Sequence, residues 1–217
     1  MPPATARVFD ELAIFPLSSA VLFPHAVLPL HIFEQRYRDM VEDALRDDRP
    51  IAMALLRDTE PLGEPPAVHP WAGVGRIIHH ERLPDGRFNI LLRGLCRVRI
   101  EEELHVATRY RQVRAIRHDD IVHDAAGCHE QAETLRRCVF SLSALHTKLG
   151  GALVSLMQDV EPPGALSDSL SPVLFPDVAE RQRLLGELDV RERLHRLVER
   201  VTELMVHTDT PSGGLPN

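Results

Sequence analysis

The sequence is poor in cysteine and contains no long apolar run. Its three cysteines, Cys96, Cys128 and Cys138, are odd in number and lack CxxC spacing, which argues against a disulfide framework and a zinc knuckle. No stretch approaches the roughly 18 uncharged apolar residues that would span a bilayer. At the N-terminus, Asp10 and Glu11 stand where a signal peptide needs its apolar core. We therefore expect reduced thiols, at least some of them buried, in a cytoplasmic protein.

Lysine and aromatic side chains are also scarce. Lys148 is the single lysine against 24 arginines, and aromatic residues make up 5% of the chain. Residues 1–117 contain 16 basic and 16 acidic side chains, so residues 118–217 carry the whole formal charge of −7. A nucleic-acid surface usually clusters Lys and Arg on one element and offers aromatic rings on which unpaired bases stack. The composition therefore disfavours RNA binding, which stays the alternative function.

The chain lacks the motifs of ATP-dependent and hydrolytic enzymes. A P-loop requires a Gly-rich turn that ends in Lys-Ser or Lys-Thr, whereas Lys148 stands in HTKLGG with no such loop before it. The same lysine is the one candidate for a Ser–Lys dyad, and no serine stands in a G-x-S-x-G sequence. We interpret Ser167, Ser169 and Ser171 as helix-cap and turn serines. The sequence predicts a protein without catalytic residues and without a cofactor.

One segment is rich in residue types that bind metals. Its members are His118, Asp119, His123, Asp124, Cys128 and His129. Their spacing matches no tight pair such as two histidines four residues apart on one helix. The segment also lies where a polar connection between two parts of the chain is expected. We interpret 118–129 as a polar linker and predict no metal site.

The first part of the sequence has the pattern of strands with one inserted helix. Three prolines punctuate its early apolar runs: Pro16, Pro24 and Pro29. Proline cannot donate to a sheet ladder, so we place all three at strand ends, edges or bulges. From Glu34 the period becomes that of an amphipathic helix, which we expect to end near residues 47–50. Leu83-Pro84-Asp85-Gly86 is a turn signal between two strands, and six or seven strands are predicted before residue 117.

The second part has the period of helices. We predict a β-barrel over 1–117, the linker, a helical bundle over 130–207 and a disordered tail over 208–217. The last helix, at 190–206, carries one apolar stripe: Leu194, Leu197, Val198, Val201, Leu204 and Met205. We expect this stripe to pack on the helix predicted at 128–149, with Arg193 among the charged residues on the remaining face. The alternative is that Leu204 and Met205 join a partner chain in a homodimer.

Several blocks of the sequence resemble one known family. The most specific are Phe15-Pro16-Leu17, Phe23-Pro24, 28–34 and Arg36-Tyr37, followed by Gly73-Val74-Gly75, 83–88, 94–98 and 189–194. They resemble the N-terminal, substrate-binding domain of Lon proteases, and most closely its stand-alone bacterial form. The resemblance implies an α+β fold, in which a PUA-like pseudo β-barrel with one inserted helix is followed by an α-helical bundle. It implies no enzymatic activity, because the ATPase and protease modules of a full Lon protease have no counterpart here.

The resemblance also implies a function and partners. We expect non-catalytic recognition of unfolded or degron-bearing polypeptides, with a separate ATP-dependent protease as a further partner. Apolar residues at predicted loops and turns are the candidate peptide contacts: Phe23, Pro24, Trp71, Leu83 and Pro84. For Phe23 and Trp71 the alternative is that they fill the core, since large aromatic side chains are usually mostly buried. The alternative function is that of an RNA-binding PUA-like module.

Overall fold

The computed structural model describes residues 8–57, 66–145, 147–158 and 160–208, which form two compact units. The first unit contains the described residues up to Asp119 together with Asp177–Gly186. The second unit contains the described residues of Asp120–Pro176 and those from Glu187 onward. In chain order the elements are β1 (Val8–Leu17), β2 (Val27–Ile32), α1 (Gln35–Asp47), β3 (Ile51–Leu56), β4 (Val68–Arg82), β5 (Phe88–Leu104), β6 (Gln112–His118), α2 (Ala125–Leu145), α3 (Thr147–Met157), α4 (Pro163–Leu174), α5 (Val178–Gly186) and α6 (Val190–Thr208). None of the helices described is both long enough and apolar enough to span a membrane.

Five strands of the first unit close into a barrel-like ring. Strand β1 pairs in parallel with β3 and antiparallel with β6, while β4 lies between β3 and β5. The C-terminal half of the long strand β5 pairs with β6 and closes the ring, whereas its N-terminal half pairs with β2. Register shifts within several of these pairings make the ring uneven. The predicted α+β fold, a pseudo β-barrel with one inserted helix and a helical part after it, is confirmed.

Pro29 lies in β2, which within the described residues pairs with β5 alone. The Gly94 N–H donates to the Ala26 carbonyl at 2.8 Å, and hydrogen-bonded positions alternate along an antiparallel pair. By this alternation the backbone of Pro29 points to the free edge of β2, where a missing N–H costs no ladder hydrogen bond. Pro16 stands at the penultimate position of β1. Both positions agree with the placement that the sequence predicts.

Helix α1 forms where the periodicity changes and packs on the ring. Its apolar positions, Tyr37, Met40, Val41 and Ala44, are buried in a core shared with β-strand residues such as Phe15, Met53 and Leu92. The helix ends because Asp48 adopts the left-handed conformation, with φ at 50°, and its N–H caps the Ala44 carbonyl. A second core of small and β-branched residues lies among the strands: Leu12, Ile14, Ala52, Ala54, Ala72, Val74, Cys96, Val98, Val113 and Ala115.

The connection between β1 and β2 lies against the backbone of β4 and β5. A Cβ atom placed on Gly73 would overlap the carbonyl oxygen of Leu22, and one on Gly94 would overlap the carbonyl oxygen of Phe23. The His25 N–H donates to the Gly94 carbonyl at 3.0 Å. These two glycines therefore permit a backbone-to-backbone approach that any larger residue would block.

In the second unit, α6 packs against α2 and α4. Leu194, Leu197 and Val201 are fully buried, so the apolar stripe faces its own core as expected. Leu204 and Met205 are half-buried, and the homodimer stays a prediction. From residue 209 on, the predicted tail lies outside the described residues, as does the side chain of Lys148.

The structure differs in two places from the division that the sequence predicts. Helix α2 begins at Ala125, inside the segment 118–129 interpreted as a polar linker. Helix α5 returns to the first unit, although it lies within the range 130–207 predicted as the bundle. Its buried residues are Gln182, Leu184 and Leu185. Helical periodicity shows that a short segment is amphipathic, but it does not show which part of the chain covers its apolar face.

Candidate functional site

The first two predicted contact residues belong to the interior. Phe23 is fully buried and Pro24 is buried as well, so the expectation that they are exposed on a loop is wrong. Phe23 is held there by the approach of its backbone to Gly94. Of the two readings open for this ring, the core position is the one that the structure supports.

Trp71 is half-buried and holds helix α5 on the barrel. Its carbonyl oxygen accepts a hydrogen bond of 2.8 Å from Nε2 of Gln182, and its ring meets that of His118 edge-on, with centroids 4.9 Å apart. Gly186 lies so close that a Cβ atom there would come within 2.8 Å of Cδ1 of Trp71. The buried Arg97 adds a bond of 3.0 Å from Nε to the Leu185 carbonyl. These contacts give Trp71 a packing role.

Leu83 and Pro84 lie in the predicted turn, where Pro84 is exposed and Leu83 is half-buried. The Leu83 N–H donates to the Arg87 carbonyl, and the Leu83 carbonyl accepts from the Gly86 N–H. Gly86 adopts a φ of 83°, which closes the turn. The Asp85 carboxylate accepts bonds from the backbone N–H and from Nε of Arg87. The backbone bond, followed by the side-chain bond and the charge of Arg87, lowers the pKa of Asp85.

Beside this turn, β2, β5 and β4 present nine side chains outward in three cross-strand rows, which we call the outer face. Across β2, β5 and β4 the rows are His31–Asn89–Glu81, Pro29–Leu91–His79 and Val27–Arg93–Arg76. Leu91 is half-buried and the other eight residues are exposed. Leu83 and Pro84 therefore lie next to a surface whose residues the sequence did not predict as peptide contacts.

The first row is a continuous hydrogen-bonded network. His31 Nδ1 lies 2.7 Å from Oδ1 of Asn89, whose Nδ2 donates to Oε2 of Glu81 at 2.9 Å. A guanidinium can only donate, so Nε2 of His31, 3.1 Å from Arg87, is the acceptor. Because Arg87 also binds Asp85, the network links the outer face to the turn.

A shallow depression of about 430 Å³ lies over the first and middle rows. Its lining comprises the residues of these two rows together with their strand neighbours Leu30 and Ile90. Three large apolar side chains on or next to the same strands are exposed: Val27 (46%) at the start of β2, Phe33 (62%) after its end and Ile78 (47%) in β4. The Phe33 ring stacks on His31 with centroids 6.4 Å apart. Several exposed apolar side chains around one surface are typical of interaction sites.

A second polar cluster, in the second unit, is structural. Arg193, which the sequence assigns to the exposed face of α6, is fully buried. It donates two bonds of 2.8 Å to Asp120, one of 3.0 Å to Oγ of Ser167 and one of 2.9 Å to the Glu187 carbonyl. Asp168 lies 3.8 Å away. The sequence does contain a signal for the burial of Arg193, because this residue stands four positions before Leu197 and so lies on the apolar stripe.

Two serines of α4 and the thiol of Cys128 are buried. Ser167 and Ser171 are buried in α4, where their hydroxyls donate to the carbonyls of Gly164 and Ser167. Cys128 is buried, and this burial is the main cause that raises the pKa of its thiol, which disfavours the reactive thiolate. Across the part of the chain that the structure describes, no three His, Cys, Asp or Glu side chains are grouped so that they could hold a metal ion.

Comparison with known proteins places this fold in a family. The family model for the ATP-dependent protease La (LON) substrate-binding domain matches residues 11–203. Among curated proteins, the Lon protease of Xanthomonas oryzae pv. oryzae is 28% identical over 196 residues, which cover 87% of this chain and 22% of that protein. The Lon protease of Azospirillum brasilense is 29% identical over 188 residues, with 84% and 22% covered. The chain thus spans about a fifth of the length of these relatives.

Solved structures show the same fold. The N-terminal domain of the Mycobacterium avium complex Lon protease superposes with a TM-score of 0.71 at 15% identity, covering 89% of this chain and 99% of that one. The Lon N-terminal domain protein from Xanthomonas campestris gives a TM-score of 0.62 at 24% identity, covering 88% and 98%.

Proposed function

The chain belongs to the family of the ATP-dependent protease La (LON) substrate-binding domain, and we propose that it recognises polypeptides without catalysing a reaction itself. The family match supports substrate recognition in general. The finer proposal is that the ligands are unfolded or degron-bearing segments in the cytoplasm. The same proposal includes a separate ATP-dependent protease as the partner that would receive these clients.

The observation that carries this proposal is the apolar exposure around the outer face. Val27 begins β2, Phe33 follows its end and Ile78 precedes His79 in β4, and Pro29 and Leu91 are among the residues that line the shallow depression on the same strands. An unfolded segment displays the apolar side chains that a folded protein hides, so it can bury this surface together with its own. The depression is shallow and open, which suits an extended chain better than a small molecule.

A pair of matched phenylalanine variants tests the proposal. Phe33 is 62% exposed beside the outer face, and Phe140 is 56% exposed on α2 in the second unit. We expect Phe33→Ser to weaken binding of a fluorescently labelled, permanently unfolded polypeptide about fivefold, since contact with a ring of this size contributes about 1 kcal/mol. Phe140→Ser should bind like the unmodified chain. Fluorescence anisotropy measures both.

Two results would contradict the proposal. No binding of unfolded polypeptide at concentrations well above those of typical weak complexes would remove polypeptide recognition. Equal effects of Phe33→Ser and Phe140→Ser would remove the outer face as its site. Displacement of the bound polypeptide by single-stranded RNA would instead favour the RNA-binding alternative.

A further inference from the structure

The third row of the outer face places two arginines directly opposite each other. Arg76 of β4 and Arg93 of β5 are register partners, an arrangement of like charges that destabilises a sheet. Arg76 is compensated by Asp48, whose carboxylate lies 3.0 Å from the guanidinium. Arg93 is exposed, and among the described residues no acidic side chain pairs with it. This row therefore carries a positive charge that no acidic side chain of the described residues compensates.

The opposite end of the outer face has the other polarity. Glu81 ends the first row, and its carboxylate accepts a bond from Asn89 rather than from a cation. The apolar middle row separates the two ends. Along β5, the outward side chains are in turn polar (Asn89), apolar (Leu91) and cationic (Arg93). Side chains two residues apart on a strand project from the same face about 7 Å apart.

We propose that the outer face binds extended polypeptide segments in which an acidic residue stands two positions from an apolar residue. The apolar side chain lies over Leu91 and Pro29, and the carboxylate pairs with the Arg93 guanidinium. An extended segment lying along β5 has the same spacing of alternate side chains as the strand beneath it, so both contacts form at once. This inference rests on the proposed function and names the class of client.

Polypeptide fits this surface better than nucleic acid. A phosphate could pair with Arg93, but the apolar middle row would then face a charged backbone, and Glu81 would repel the next phosphate. The Phe33 ring, on which a base could stack, already stacks on His31. The alternation of apolar and cationic positions matches side chains.

Peptides that differ in one group test the inference. We would measure anisotropy of labelled, unstructured peptides that carry Leu-x-Glu or the isosteric Leu-x-Gln in an otherwise uncharged sequence. The chain should prefer Leu-x-Glu about three- to fivefold at low ionic strength, as expected for a solvent-exposed ion pair, and the preference should shrink as salt is added. Peptides with Leu-Glu or Leu-x-x-Glu should bind no better than Leu-x-Gln.

Variants on β5 identify the cation. Arg93→Gln should abolish the preference, and Arg93→Glu should reverse it toward Leu-x-Lys. Arg99→Gln is the matched control, because Arg99 is an exposed arginine on the same strand outside the outer face and should keep the full preference. Far-UV circular dichroism confirms that each variant is folded. If a variant does not fold, the peptide series measured on the unmodified chain still tests the inference.

The outcomes separate this inference from the proposed function. Equal binding of Leu-x-Glu and Leu-x-Gln peptides overturns the inference and leaves polypeptide recognition intact. Binding of no peptide overturns both. Loss of the preference in Arg99→Gln as well as in Arg93→Gln shows a diffuse charge effect and overturns the assignment to Arg93. Competition by single-stranded RNA that Arg93→Gln removes also overturns it, because the cation would then serve phosphate.

Discussion

At the scale of single residues, Arg193 is a fully buried charge in the second unit. Its guanidinium satisfies Asp120 and lies 3.8 Å from Asp168, which is almost fully buried. We expect Arg193→Met to lower the free energy of unfolding by about 3–5 kcal/mol, because it removes a fully buried guanidinium that pairs with Asp120 and lies beside the buried Asp168. The midpoint of urea unfolding, followed by circular dichroism, measures the change.

The neighbouring exposed arginine supplies the control for that prediction. Arg196 lies on the same helix, and Arg196→Met should change the stability by no more than about 0.5 kcal/mol. If the two variants unfold at the same urea concentration, the buried cluster around Arg193 adds no more to the free energy of unfolding than apolar side chains in its place would add.

Tyr110 gives the first unit a dependence on alkaline pH. Burial, reinforced by the bond that its hydroxyl donates to Asp43 at 2.8 Å, raises the pKa of Tyr110 to about 12. An unfolded tyrosine ionises near pH 10, so the folded state holds this proton where the unfolded state has lost it. The corresponding stability is therefore present in full below about pH 10 and falls as pH rises toward 12.

Absorbance of tyrosinate checks this directly. The chain has two tyrosines, and burial also raises the pKa of Tyr37. We expect little tyrosinate in the folded protein at pH 10.5 and a large fraction in the urea-unfolded chain. Tyr110→Phe should lose less stability between pH 9 and pH 11 than the unmodified chain. Ionisation of both tyrosines near pH 10 in the folded protein would contradict the burial of these two rings.

At the scale of elements, the connection between β1 and β2 depends on two glycines of neighbouring strands. We expect Gly73→Ala and Gly94→Ala each to lower the free energy of unfolding by about 3 kcal/mol or more, because the added methyl group meets a backbone carbonyl that cannot rotate away. Gly151→Ala is the control, since a Cβ atom there meets nothing within 4 Å. In helix α3 that change should stabilise by up to about 1 kcal/mol. Thermal unfolding orders the three variants, and a mild effect at Gly73 or Gly94 would mean that the connection can move away.

At the scale of the whole molecule, the chain is not divided at a single point. Helix α5 belongs to the first unit, while the segments before and after it belong to the second. Buried groups anchor this return, since Gln182 binds the Trp71 carbonyl and Arg97 binds the Leu185 carbonyl. A fragment that ends at residue 117, the boundary predicted from the sequence, would therefore lack part of its own packing.

The sequence by itself determined the order and type of the elements. The change of period at Glu34, the turn at 83–86 and the stripe of α6 depend on neighbours within a few residues, which a linear pattern records. The blocks that resemble the Lon substrate-binding domain are local for the same reason. The absence of a P-loop and of a G-x-S-x-G motif is likewise read directly from the letters.

Only the tertiary structure decided which apolar and charged residues face solvent. Phe23 and Phe33 both stand in apolar runs, yet one is fully buried and the other is 62% exposed. The difference arises because the backbone of Phe23 crosses Gly94, some seventy residues later in the chain, whereas Phe33 follows the exposed side of β2. Arg193 is buried for a similar reason, since its partner Asp120 is distant in sequence. The opposition of Arg76 and Arg93 is set by the register of β4 and β5, which bulges shift, and no periodicity encodes that register.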